Sequence, residues 1–121
     1  MEAFVTGSQV YGKPTADSDV DLVVRVTQQD LDLLRKFASA NLLLDDSYYG
    51  RPDSVSLRFG KLNLICAITN EALETWKLGT ETLKAKKPVD RSFAVELFRT
   101  LREAQEEEAL EPFRTTQELR N

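Results

Sequence analysis

Apolar residues alternate with polar ones in some runs of this chain and fall at helical spacing in others, and the two periods divide it into predicted strands and helices. The run AFVT at 3–6 reads as a short strand entering a turn at Gly7-Ser8. In DVDLVVRV, Val20, Leu22, Val24 and Val26 fall on one side of a strand, with Asp19, Asp21, Val23 and Arg25 on the other, because strand side chains alternate. Thr27 and Asp30 have capping-box spacing, and Leu31, Leu34, Phe37 and Ala38 then form a helical stripe that covers the apolar side of the strand. NLLLDDSYYGRPD reads as a loop. SVSLRF and LNLICAI, joined by Gly60-Lys61, are a hairpin with a two-residue turn.

That turn sets a register. It pairs Phe59 with Leu62, Arg58 with Asn63 and Leu57 with Leu64. Val55, Leu57, Phe59, Leu62 and Leu64 then face the core, leaving Ser56, Arg58 and Asn63 on the opposite face, which in one mixed sheet also carries Asp19 and Asp21. Further on, Thr69 or Asn70 caps a short helix that runs through a core Trp76 and ends near Gly79. Asp90 caps a last long helix. Val89 and Ala94 have staple spacing around that cap, and Phe93, Leu97, Phe98, Leu101 and Ala104 make its apolar stripe. The fold expected is α+β: a small mixed sheet with helices packed on one face. Residues 1–107 form one domain and 108–121 an acidic, aperiodic C-terminal tail.

Composition narrows the chemistry. The chain has 121 residues, 41% hydrophobic and 30% charged, enough for one core. Sixteen basic and twenty acidic side chains give a net charge of -4, so general attraction to nucleic acid or to an anionic membrane is not expected. The absence of histidine removes the usual imidazole base and zinc ligand. The lone Cys66, inside an apolar run, is read as a core residue and excludes an intramolecular disulfide. No signal peptide or membrane-spanning run appears, so a cytoplasmic location is expected.

Two aspartates one residue apart on an otherwise apolar strand are costly unless a cation joins them. Carboxylates are ligands that Mg²⁺ prefers, with phosphate oxygens completing its octahedron. Gly7 lets backbone approach a phosphate, Ser8 and the amides after it are donors to phosphate oxygens, and Arg58 faces the same cleft. More ordinary readings stand beside these. Ser18 equally closes a turn and Asn63 equally sits at the surface, while Arg58 is more often a solvated cross-strand residue than a catalytic one. Lys84, Lys86 and Lys87 read as a solvated helix end, and Tyr48 and Tyr49 as loop aromatics at the core edge.

Gly7-Ser8, a short spacer and Ser18-Asp19-Val20-Asp21-Leu22 resemble the signature of the DNA polymerase beta nucleotidyltransferase superfamily, most closely its minimal, kanamycin nucleotidyltransferase-like branch. The resemblance covers about the first quarter of the chain. It implies transfer of a nucleoside monophosphate from a nucleoside triphosphate to an acceptor hydroxyl on a small molecule, protein or RNA. Mg²⁺ or Mn²⁺ would be held by Asp19 and Asp21, with phosphate contacts from Gly7, Ser8, Ser18 and Arg58. The chain departs from the family in two places. The family's third carboxylate corresponds to Asn63, so Asn63 either serves as a neutral member of the catalytic set, is replaced by Asp45, Asp46 or Asp53, or marks a catalytically weakened, antitoxin-like binding module. No supporting helix precedes the first strand, so the core is expected to lean on a protein partner or a second copy of the chain.

Overall fold

The computed structural model describes residues 2–38, 40–43 and 53–104. The expected tail at 108–121 lies outside them, as do Asp45, Asp46, Tyr48 and Tyr49. Strand β1 (Ala3–Thr6) leads into a single-turn helix α1 (Ser8–Tyr11), followed by β2 (Val20–Arg25) and α2 (Gln28–Arg35). Strands β3 (Ala40–Leu43), β4 (Ser54–Phe59) and β5 (Leu62–Ala67) precede α3 (Asn70–Lys84) and α4 (91–104). The result is a small α+β fold around one mixed sheet with strand order β1-β2-β5-β4-β3.

The hairpin has the register expected of its turn: Phe59 lies opposite Leu62, Arg58 opposite Asn63 and Leu57 opposite Leu64. Gly60 takes the left-handed backbone such a turn requires, with φ 62°. β5 pairs in parallel with β2, which sets Asp21 beside Asn63 and Val23 beside Ile65. β1 runs antiparallel on the other side of β2 and sets Thr6 beside Asp21. β3, antiparallel to β4, occupies part of the stretch read as a loop. Its apolar run lacks alternation, so no periodicity distinguished it from a connection.

Helices cover both faces of the sheet, which corrects the expectation of helices on one face only. α2 packs Leu31, with Leu34, against Val24, Val26, Val55, Leu57 and Cys66. The face that carries Asp21 is polar at one end only. Further along, alternation puts Val23, Ile65 and Ala67 on it, and these apolar side chains are buried with Tyr11, Leu73, Trp76, Leu83, Ala94 and Phe98 from α1, α3 and α4. One end of this face is therefore sealed by helices while the other holds the polar side chains.

Helix boundaries follow their caps in part. Thr27 and Asp30 form the complete capping box of α2. That helix ends at Arg35, so Phe37, expected in its stripe, is 72% exposed. Thr69 caps α3 by accepting from the Ala72 amide at 3.1 Å. α3 does not stop near Gly79 but runs on to Lys84. Gly79 is instead a contact point: a Cβ there would lie 2.2 Å from Phe98 Cε1. In the same cluster the Phe98 ring lies 4.7 Å from that of Trp76, whose Nε1 donates to Ser54 Oγ at 3.1 Å. Ala94 and Phe98 are the buried residues of α4, whereas Phe93 is 49% exposed. Val20, at the mouth of β2, is likewise exposed rather than in the core. Among the described residues no helix is long and apolar enough to cross a membrane.

Candidate functional site

Alternation along β2 and the pairing of β5 on one side and β1 on the other bring the predicted polar residues together at one end of the sheet. Asn63 Nδ2 donates to Asp21 Oδ1 at 3.1 Å, and Ser56 Oγ donates to Asn63 Oδ1. Arg58 Nη1 donates to Asp19 Oδ2 at 2.8 Å in a partly exposed ion pair. Asp19, Asp21, Asn63, Arg58 and Ser56 thus form one polar cluster. An ionised carboxylate only accepts hydrogen bonds, so Asp21 requires the NH₂ side of the Asn63 amide. The amide oxygen consequently points to Ser56 and away from Asp21.

Asp21 is half-buried, and its carboxyl is held above the ordinary carboxylate pKa. Burial is the main cause, since it penalises the charged form. The Asn63 hydrogen bond opposes the rise, the charge of Asp19 adds to it, and the guanidinium charges of Arg58 and Arg91 lower it. Arg91, the first residue of α4, is the member of this environment that sequence reasoning missed. It lies far from the motif along the chain, and neither alternation nor spacing links it to β2.

Gly7 packs directly on this carboxylate. A Cβ at Gly7 would lie 2.0 Å from Asp21 Oδ2, and the residue has φ +76°. Both facts call for glycine here, and the room beside it is taken by Asp21 itself. Ser8 begins α1, where the Val10 and Tyr11 amides donate to the Gly7 carbonyl. Ser18 closes a turn: its Oγ accepts from the Thr15 amide at 2.8 Å, and its own amide donates to the Thr15 carbonyl at 3.1 Å. That turn delivers the chain to Asp19.

Asp53 is not part of the cluster. It sits just before β4, accepts a hydrogen bond from Thr69 Oγ1 at the start of α3, and lies five strand positions from Arg58, about 16 Å at 3.3 Å per residue. It therefore does not supply a carboxylate at the position of Asn63. Lys84 lines a groove along the β1 edge with Glu2, Val5, Lys77 and Glu81. Among the described residues no group of three or more acidic, histidine or cysteine side chains gathers in a way that would hold a metal ion. Asp19 and Asp21 are hard oxygen donors of the kind a cation such as Mg²⁺ or Mn²⁺ takes, with its remaining oxygens from water or phosphate. They do not make a protein-only cage. Cys66, fully buried with its thiol pushed up to about 11, is a core residue. No family model, curated protein or solved structure matches the chain.

Proposed function

We propose that the domain is a minimal nucleotidyltransferase of the DNA polymerase beta type, transferring a nucleoside monophosphate from a nucleoside triphosphate to an acceptor hydroxyl. The observation that carries this reading is the seat of the Gly7-Ser8 turn against Asp21, with Asp19, just before β2, held by Arg58. Two carboxylates beside a glycine-serine turn offer what a metal–triphosphate site needs in oxygen ligands, while the space next to Gly7 is filled by Asp21 and the turn's donor toward phosphate is Ser8. Mg²⁺, when bound, supplies Lewis-acid polarisation of the phosphate oxygens. Asp19 and Asp21 would hold it, and desolvation of Asp21 strengthens its demand for a cation. Ser8 donates to a phosphate oxygen, Arg58 neutralises phosphate charge from the β4 side, and Ser18 keeps the turn before Asp19 closed.

A second reading is favoured by Asn63. Its amide takes no proton, and its oxygen is directed to Ser56, so neither a base nor a third charged ligand stands at that position. A catalytically weakened binding or regulatory module, engaging nucleotide or a protein partner, fits that feature. Calorimetry with each of the four nucleoside triphosphates and MgCl₂, run beside pyrophosphate-release assays on hydroxyl acceptors of the small-molecule, protein and RNA classes, tests both. Binding that disappears in the Asp19→Ala, Asp21→Ala double variant, together with pyrophosphate release, is the outcome expected. Binding without release across all acceptors selects the second reading. Undiminished binding in the double variant moves the site elsewhere.

A further inference from the structure

We infer that strand β1 is a self-association surface, through which two copies of the chain join their sheets edge to edge about a twofold axis. This goes beyond the nucleotide reading and does not depend on it. β1 lies at one end of the sheet, and among the described residues no strand pairs with its outer side. The Arg25 amide donates to the Glu2 carbonyl at 3.0 Å, and β1 keeps that register along β2. In an antiparallel ladder, successive residues turn their backbone groups alternately toward the neighbouring strand and away from it. Glu2, Phe4 and Thr6 therefore turn theirs to β2, and Ala3 and Val5 turn theirs outward. The strand, AFVT, carries neither charge nor proline to keep another strand away. Ala3 and Val5 are both exposed.

Two features of this edge match the chain itself. The first is the backbone. In an antiparallel second copy with the twofold axis beside Phe4, Ala3 lies opposite Val5 of the second copy, and Val5 opposite its Ala3. Both outward amides and both outward carbonyls then find partners, the exposed Val5 side chain is covered by Ala3 of the second copy, and the Phe4 residues stand opposite each other across the axis.

The second feature is charge. α3 flanks this edge: Thr6 Oγ1 and Thr80 Oγ1 lie 2.6 Å apart, and Lys77 forms an ion pair with Glu2. Lys77, Glu81 and Lys84 line the groove beside β1, and Glu74, in an ion pair with Lys77 at 3.8 Å, extends their stripe. Steps of three, four and three residues keep Glu74, Lys77, Glu81 and Lys84 on one side of the helix. The row reads acid, base, acid, base, and reversing it exchanges Glu74 with Lys84 and Lys77 with Glu81. A twofold axis normal to the sheet keeps both α3 helices on the same side and reverses one against the other. Every position of the row then meets the opposite charge, a match that a uniformly charged partner does not make.

Sedimentation equilibrium tests the inference. The parent is expected to be a reversible dimer that salt weakens. Val5→Pro removes an amide hydrogen that points away from β2, so it should abolish the dimer while thermal melts show the fold retained. Glu74→Lys and Lys84→Glu, both at exposed positions, each set like charges opposite one another twice in their own dimers, and each should weaken self-association about tenfold. Mixed together, they restore opposite charges at both contacts, and a heterodimer of about the parent's affinity is expected. The inference fails if the parent stays monomeric up to about 1 mM, or if folded Val5→Pro dimerises as the parent does. It fails equally if the two charge variants self-associate within twofold of the parent, or if mixing them restores nothing. Should Val5→Pro unfold, the charge variants decide alone.

Discussion

Replacing Asn63 by aspartate probes the site through stability alone, with no substrate required. The change removes the hydrogen bond that the Asn63 amide gives Asp21 at 3.1 Å, worth about 1.5–3 kcal/mol when the acceptor is charged. It also sets a second carboxylate against Asp21. Two unit charges about 4 Å apart repel by about 4 kcal/mol at an effective dielectric of about 20. That is an upper limit, because the pair relieves it by holding a proton. A net cost of about 2–4 kcal/mol at neutral pH follows, or a fall in Tm of roughly 10 °C for a chain of this size. The sign with pH is fixed. The pair holds its proton more tightly folded than unfolded, so its stability is fully present below the ordinary carboxylate range and is lost as pH rises through the raised value. Acid should therefore bring Asn63→Asp back toward the parent. So should MgCl₂, which joins the carboxylates and stabilises the folded form by mass action. Circular dichroism melts of both proteins at pH 5 and pH 7.5, in EDTA and in MgCl₂, check this. If the variant melts within about 2 °C of the parent at pH 7.5 in EDTA, or if MgCl₂ raises both equally, the facing of Asn63 and Asp21 argued above is wrong. A gain in pyrophosphate release by Asn63→Asp would additionally favour the transferase over the binding module.

Two other outcomes follow from the same geometry. Asp21, whose carboxyl is raised chiefly by burial, lowers stability at neutral pH and ceases to do so once protonated in the fold. Metal-free Asp21→Asn should therefore melt higher than the parent at pH 7 and converge with it below the ordinary carboxylate range, and a lower Tm at pH 7 would contradict this. Gly79→Ala, which on an open helix gains about 1 kcal/mol, should here lose about 1–2 kcal/mol net, because its Cβ meets the Phe98 ring; chemical denaturation reads the sign directly.

What the chain alone determined about this protein is what depends on near neighbours. A two-residue turn leaves one register for its strands, so the pairing of Arg58 with Asn63 could be read directly. Strict alternation put Asp19 and Asp21 on one face, and the Thr27 box marked the start of α2. The remainder was decided by segments distant in sequence. Parallel pairing of β2 with β5 set Asn63 beside Asp21, and no local pattern encodes which strands pair across a long connection. α3 continues through Gly79 because Phe98 of α4 fills the space a side chain would take, so a residue that locally reads as a helix stop is there for packing. Gly7 likewise reads as a turn residue, but its room is occupied by the Asp21 carboxylate. Arg91, far from Asp21 along the chain, acts on its carboxyl through charge only because the fold brings α4 over the sheet. Backbone turns and alternation act over a few residues and are written locally, whereas burial and the positions of charges around a carboxylate depend on every element that packs against it. Only the folded chain brings those elements together.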